Sequence, residues 1–170
     1  MDVLNIEIKA HCQDPDYVRK ILLANNARFV GEDHQIDTYF TVPSGRLKLR
    51  EGNIENTLIF YDRVEVKGIK KSEVILFHPE KNVDALKRIL LKSMTTKVVV
   101  DKKREIYYIK NVKFHIDQVK GLGSFMEIEA ISTNGEFTEA YLNEQCQYYI
   151  HLLKVKQEDM IDRSYSDLLM

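Results

Sequence analysis

The residues able to do chemistry in this chain come as dyads, two charged side chains at positions i and i+2. Glu127 and Glu129 form an acidic dyad in FMEIEA. Lys48 with Arg50, and Lys102 with Arg104, form basic ones. Glu7 and Lys9 form a mixed dyad in NIEIKA, Lys113, His115 and Asp117 share a spacing of two in KFHID, and Arg63 follows Tyr61 by the same step. That spacing puts the members of a dyad on one face of a β-strand. Arg and Lys in such numbers suit phosphate oxygens, Arg through a planar fork of donors. Clustered carboxylates are hard oxygen ligands and, beside phosphate, suit Mg²⁺ or Mn²⁺.

Such dyads need strands to hold them. QIDTYFTV (35–42), GRLKLRE (45–51), TLIFYDRVEVK (57–67), NVKFHIDQV (111–119) and SFMEIEAI (124–131) alternate charged or polar with apolar residues. VVVDKKREIYY (98–108) is less regular, although Lys102 and Arg104 share a face with Val98, Val100, Ile106 and Tyr108. Pro43, Ser44 and Gly45 mark a turn, as does GLG at 121–123, which is too short for a dinucleotide fingerprint. Three helices are expected. Asp14 caps the first and Pro15 opens it, with Tyr17, Val18, Ile21 and Leu22 as its apolar stripe. The second spans about 79–92, the third about 137–153, and the tail adds one or two helical turns.

Two arrangements satisfy the alternation. In an open antiparallel sheet the charged face meets water. In a barrel the apolar faces lie outside under helices and the charged faces line a channel. Like charges facing each other across a free sheet are mildly destabilising, a cost that a bound ligand removes. Counting Lys9, Lys48, Arg50, Arg63, Lys102, Arg104 and Lys113 against Glu7, Asp117, Glu127 and Glu129 leaves an excess of three positive charges. At about 4 Å two like charges repel by roughly 4 kcal/mol at an effective dielectric near 20, so a closed channel so lined calls for counterions or a polyanion.

Composition narrows the partners. The 170 residues suffice for one domain with a sizeable core. A net charge of −1 gives no global attraction to nucleic acid or to an anionic membrane. The apolar runs are far too short for a membrane span, and MDVLNIEIKA does not read as a signal peptide. Cys12 and Cys146 have no ligand spacing and read as reduced thiols of a cytoplasmic protein. His11, His34, His78 and His151 are scattered and read as surface or core residues.

The order and parity of these motifs resemble the CYTH family, the triphosphate tunnel metalloenzymes that include class IV adenylyl cyclases and thiamine triphosphatases. QIDTYF, GRLKLRE, KKR at 102–104, HID at 115–117 and LGSFMEIE look most like the cyclase branch. The resemblance implies an α+β fold: a single domain over 1–170, with an antiparallel eight-stranded barrel tunnel over about 3–131, a charged interior, helices outside, and C-terminal helices over about 137–170. It implies that Glu7, Glu127 and Glu129 hold Mg²⁺ or Mn²⁺. Lys48, Arg50, Arg63, Lys102, Arg104 and Lys113 would bind phosphate, and Lys9, Asp117 and Arg104 would act in catalysis. Lys70 or Lys71 would match a further basic position. The implied activity is conversion of ATP to cyclic AMP and pyrophosphate. A tripolyphosphate or organic triphosphate hydrolase and a non-catalytic triphosphate-binding module are the alternatives. A homodimer is compatible with such a barrel, and no nucleic-acid or membrane partner is expected. The family signature Glu-x-Glu-x-Lys departs at its first position, where Asn5 stands. An amide oxygen can coordinate a metal but brings no charge, which weakens a second metal site. His115 reads as a hydrogen-bonding group of the channel and Tyr39 as part of its wall.

Overall fold

The computed structural model describes the backbone of residues 2–66 and 69–170, and side chains within that range apart from those of 64–66, 69 and 70. Eight antiparallel strands close into a barrel. In chain order they are β1 (Val3–His11), β2 (Arg28–Phe40), β3 (Arg46–Glu51), β4 (Thr57–Val66), β5 (Ile69–Phe77), β6 (Thr96–Ile109), β7 (Val112–Val119) and β8 (Gly123–Thr133). Around the barrel the order is β5-β4-β3-β2-β6-β7-β8-β1, and a β1–β5 pairing closes the ring. A two-residue strand, β9 (Met160–Ile161), adds to β1 at Lys9 and Ala10.

Register explains why one face of every strand turns inward. Glu7 stands opposite Glu129, Lys9 opposite Glu127, His115 opposite Glu127, Arg104 opposite Asp117, and Arg50 opposite Asp37. A period of two then sends Ile6, Ile8 and Ala10 outward, together with Phe114, Ile116, Met126 and Ile128. These outer positions are buried under helices α1 (Pro15–Ala24) and α3 (Glu139–Leu152), with Val18, Leu22, Leu142 and Cys146 in the same cluster. Each large apolar side chain so buried contributes about 1.5–3 kcal/mol. Helix α2 (Val83–Ser93) covers the opposite wall, where Leu86 and Leu90 meet Phe40, Leu47, Leu49 and Leu58. The barrel is thus oily outside and ionic within.

The helix ends follow local chemistry. Asp14 accepts from the Tyr17 backbone N–H at 3.1 Å and Pro15 opens α1, as its sequence indicates. Thr138 caps α3 by accepting from Tyr141 N–H. Helix α2 starts at Val83 rather than near Pro79, because Asn82 takes a left-handed conformation (φ 60°) just before it. The tail forms a 3₁₀ turn (Gln157–Asp159), β9 and a one-turn helix α4 (Tyr165–Leu168). Strand β5 and the first half of β2, residues 28–34, lie outside the segments read as strands from sequence. Among the described residues no helix is long and apolar enough to cross a membrane.

Candidate functional site

The inward faces enclose a cavity of about 530 Å³, within the usual range of about 300–1,000 Å³ for ligand pockets. Its floor lies at the end where β1, β2 and β7 finish and β8 begins. There α4 lays Tyr165 across the barrel. The Tyr165 hydroxyl donates to Asp117 Oδ2 at 2.7 Å, its ring meets Phe125 edge-on, and Lys9 Nζ sits 4.0 Å from its ring centre. Arg46 grips the same turn through Ser164, Ser166 and Asp167. The mouth lies at the other end, beside the β3–β4 loop.

Of the residues singled out by sequence, Glu7, Lys9, Lys48, Arg50, Arg63, Lys102, Arg104, Lys113, Glu127 and Glu129 all line this one cavity. Asp117 is buried beside it against Arg104. Lys71 faces outward to Glu139. The side chains of Lys67 and Lys70 lie outside the described residues. Two carboxylates not counted as lining the channel also belong to it, Asp37 and Glu55. Seven cations therefore face six carboxylates, and the excess is one rather than three. Asp37 shares the parity of Tyr39 on β2, so its strand announces it. Glu55 sits in a loop, where no periodicity points to it.

The ion pairs divide the wall into three groups. Asp37 is the hub of the first. Its Oδ2 accepts from Lys48 Nζ at 2.9 Å, Arg50 Nη2 at 2.8 Å and Lys102 Nζ at 2.9 Å, and its Oδ1 accepts from Arg50 Nε. Burial opposes this charge, and the Arg50 guanidinium with both ammonium groups holds its carboxyl well below the usual range. Burial brings Lys102 down to about 7 despite Asp37, with Arg50 and Arg104 acting in the same direction. Arg104 is the second hub, forked onto Asp117 at 2.7 and 2.6 Å and reaching Glu127 Oε2 at 2.9 Å. His115 joins it through Nδ1, 2.9 Å from the same Glu127 oxygen. Burial and Arg104 lower His115 to about 4, so the ring is neutral at pH 7. Neutral imidazole then donates from Nδ1 to Glu127 and leaves the buried, unpartnered Nε2 as an acceptor.

The third group gathers Glu7, Arg63, Asn5 and Glu129. Glu7 lies 3.9 Å from both Lys9 Nζ and Arg63 Nη2. Arg63 lines the wall, and its buried Nε and Nη1 have no partner among the described residues. Asn5 donates from Nδ2 to Glu129 Oε1, and the buried Asn5 Oδ1 has no partner among the described residues. Burial raises the Glu129 carboxyl to about 7, Lys113 opposing and Glu7 and Glu127 reinforcing the rise. A carboxyl pushed up beside two others is short of a cation.

These observations test the metal assignment. Among the described residues no three His, Cys, Asp or Glu side chains already stand as a metal cage. Glu127 is enclosed by Arg104, His115 and Lys9, the last at 3.3 Å. Glu7 and Glu129, adjacent across β1 and β8, and the Asn5 amide oxygen, unpartnered among the described residues, offer hard oxygen donors. The donor set fits one divalent ion.

Comparison with known proteins places this architecture. The family model described as the CYTH domain matches residues 4–165. A Methanocaldococcus jannaschii protein, named as a candidate adenylate cyclase, is 25% identical over 179 residues, covering 98% of each chain. The solved structure of the PH1012 protein of Pyrococcus horikoshii OT3 superposes with a TM-score of 0.80 at 24% identity, over 96% of this chain and 98% of that one. A Hippeastrum protein named as a candidate adenylyl cyclase, and described as having a dominant triphosphatase activity, superposes at 0.63 with 12% identity, over 96% and 94% of the two chains.

Proposed function

The chain belongs to the CYTH domain family, whose members act on triphosphates, and on that premise we propose that it is a metal-dependent enzyme acting on the triphosphate of a nucleotide or related compound, of the class IV adenylyl cyclase type. One observation carries the reading: Arg63, whose Nε and Nη1 are buried with no partner among the described residues, lines a cavity that already holds six other cations. Buried charged donors without acceptors are costly, and a planar fork suits phosphate oxygens. The candidate cyclase relative, alike along nearly its whole length, supports the choice of reaction.

In this reaction the ribose 3′ hydroxyl loses its proton to solvent, its oxygen bonds to the α-phosphorus, the bond from that phosphorus to the bridging oxygen breaks, and pyrophosphate departs. Arg63 binds phosphate oxygens directly, because neither the Asp37 nor the Arg104 hub engages it, and Lys9 shares Glu7 with it on the same wall. The hubs hold Lys48, Arg50, Lys102 and Arg104 in fixed positions, so charge developing on the leaving group meets donors that need no reorganisation. His115 Nε2 accepts a hydrogen bond from substrate. Glu7 and Glu129, with the Asn5 amide oxygen, would hold Mg²⁺ or Mn²⁺, which would neutralise phosphate charge when bound.

Incubating the protein with Mg²⁺ or Mn²⁺ and ATP, tripolyphosphate or thiamine triphosphate tests this. Cyclic AMP with pyrophosphate is the expected product. Free phosphate would instead make it a hydrolase, and tight binding without product a binding module. Glu127→Gln should lower turnover by about a hundredfold or more while the barrel still folds, since Arg104 keeps Asp117. Full activity in that variant would refute the role given to this wall.

A further inference from the structure

Glu55 is the one described tunnel carboxylate that no strand supplies. It is placed by a latch. Asp33, fully buried on β2, accepts from the backbone N–H groups of Ile54 at 2.9 Å and Glu55 at 3.0 Å. Gln35 donates to Asp33 and to Glu55. Asn56 and Gly52 exchange two further hydrogen bonds across the loop. The latch leaves Gly52 no room for a side chain, since an added Cβ would stand 2.6 Å from Asp33 Oδ1. So fixed, Glu55 accepts from Arg50 Nη1 at 3.0 Å and from Lys113 Nζ. Both cations read from sequence as phosphate ligands are therefore occupied by the protein itself on their mouthward side.

We propose that Glu55 sets the length of phosphate chain the tunnel accepts, acting as a fixed negative wall that admits a triphosphate and rejects its extension by a further phosphate. This rests on the triphosphate reading above. Three observations converge on it. First, the floor is closed by Tyr165 and Phe125, so a chain cannot continue that way. Second, the charged stretch of β8 is short. Phe125 and Ile131 bracket Glu127 and Glu129, so the inward charges of this strand are confined to two consecutive inward positions. Third, the two cations beside Glu55, Arg50 and Lys113, already pair with it, so an added phosphate meets no uncommitted donor there.

Isothermal titration of inorganic tripolyphosphate and tetrapolyphosphate, each with Mg²⁺, tests the proposal on the whole chain. The unaltered protein should favour the shorter anion. Glu55→Gln should tighten tetrapolyphosphate binding by about tenfold or more and tripolyphosphate by less than about threefold, because only the longer anion meets the removed charge. Glu55→Asp, which keeps a carboxylate on the latched loop, should retain the parent's preference. An equal change for both anions, no change for the longer one, or the same loss of preference in both variants would overturn the length limit. Failure of the unaltered protein to bind tripolyphosphate would instead remove the triphosphate reading and the length limit with it.

Discussion

Replacing Asp37 by Asn should uncouple three cations at once. The carboxylate lies 2.8–2.9 Å from Lys48, Arg50 and Lys102, with about 1% of its surface exposed. At 2.9 Å and an effective dielectric of about 20, each contact is worth roughly 6 kcal/mol of attraction before desolvation is subtracted. The net cost is far smaller. Lys102 is already brought down to about 7 by burial, so without Asp37 it sheds its proton at neutral pH and leaves two charges to be accommodated. Removing one partner of a buried ionic group typically costs about 3–5 kcal/mol. For a chain of this size that is a fall in Tm of about 6–20 °C. An external anion should then matter more to the variant than to the parent. Tripolyphosphate should raise the Tm of Asp37→Asn by more than it raises that of the unaltered protein, since it meets Lys48 freed of its carboxylate and Arg50 left with Glu55 alone. Thermal unfolding with and without tripolyphosphate reads both effects. A variant melting within about 2 °C of the parent, or gaining no more from the anion, would show that Asp37 is not the counterion described.

The pH dependence of the metal-free protein should be distinctive. Glu129 titrates near 7 when folded, above its ordinary value of 4.5, so its stabilising contribution is complete at low pH and is lost as pH rises towards 7. Lys102 titrates near 7 against an ordinary 10.5, so its penalty is full below 7 and disappears between 7 and 10.5. His115, near 4 against an ordinary 6.5, adds stability as pH rises to 6.5 and offsets Glu129 there, so urea unfolding in EDTA should show stability nearly flat from pH 5 to 7 and rising from 7 to 9; a profile that falls above 7 would contradict the Lys102 assignment. Gly52→Ala should cost about 1–3 kcal/mol by forcing Asp33 off its backbone partners, and should speed hydrogen exchange at the Ile54 and Glu55 amides. Unchanged exchange there would mean that Asp33 does not latch the loop.

Most of this architecture is legible because period two is a strong signal when both faces are chemically distinct. Ile6 and Ile8 against Glu7 and Lys9 identify β1 and its two environments, and Lys48 with Arg50 does the same for β3. The charged face of β1 turns out to be enclosed, not wetted. What periodicity misses is what strands do not carry. Glu55 reaches the tunnel only because Asp33, twenty-two positions earlier, pins its backbone. Tyr165 reaches the floor only because Arg46 anchors the turn before and after it. Both depend on contacts between distant residues, which no local pattern encodes. The charge excess was overstated for the same reason: the internal counterions come partly from a loop.

Closure of the barrel by β1 has a kinetic corollary. The first strand must find β5 and β8, and the Asn5–Glu129 contact joins residues 124 positions apart. A chain emerging from the ribosome holds its ionic residues unsheltered until nearly all of it has been synthesised. Such non-local pairing slows folding and prolongs exposure of unpaired edges. A nascent chain interrupted before β8 would retain the α1 helix signal but lack one neighbour of β1, leaving an adhesive seam for other chains.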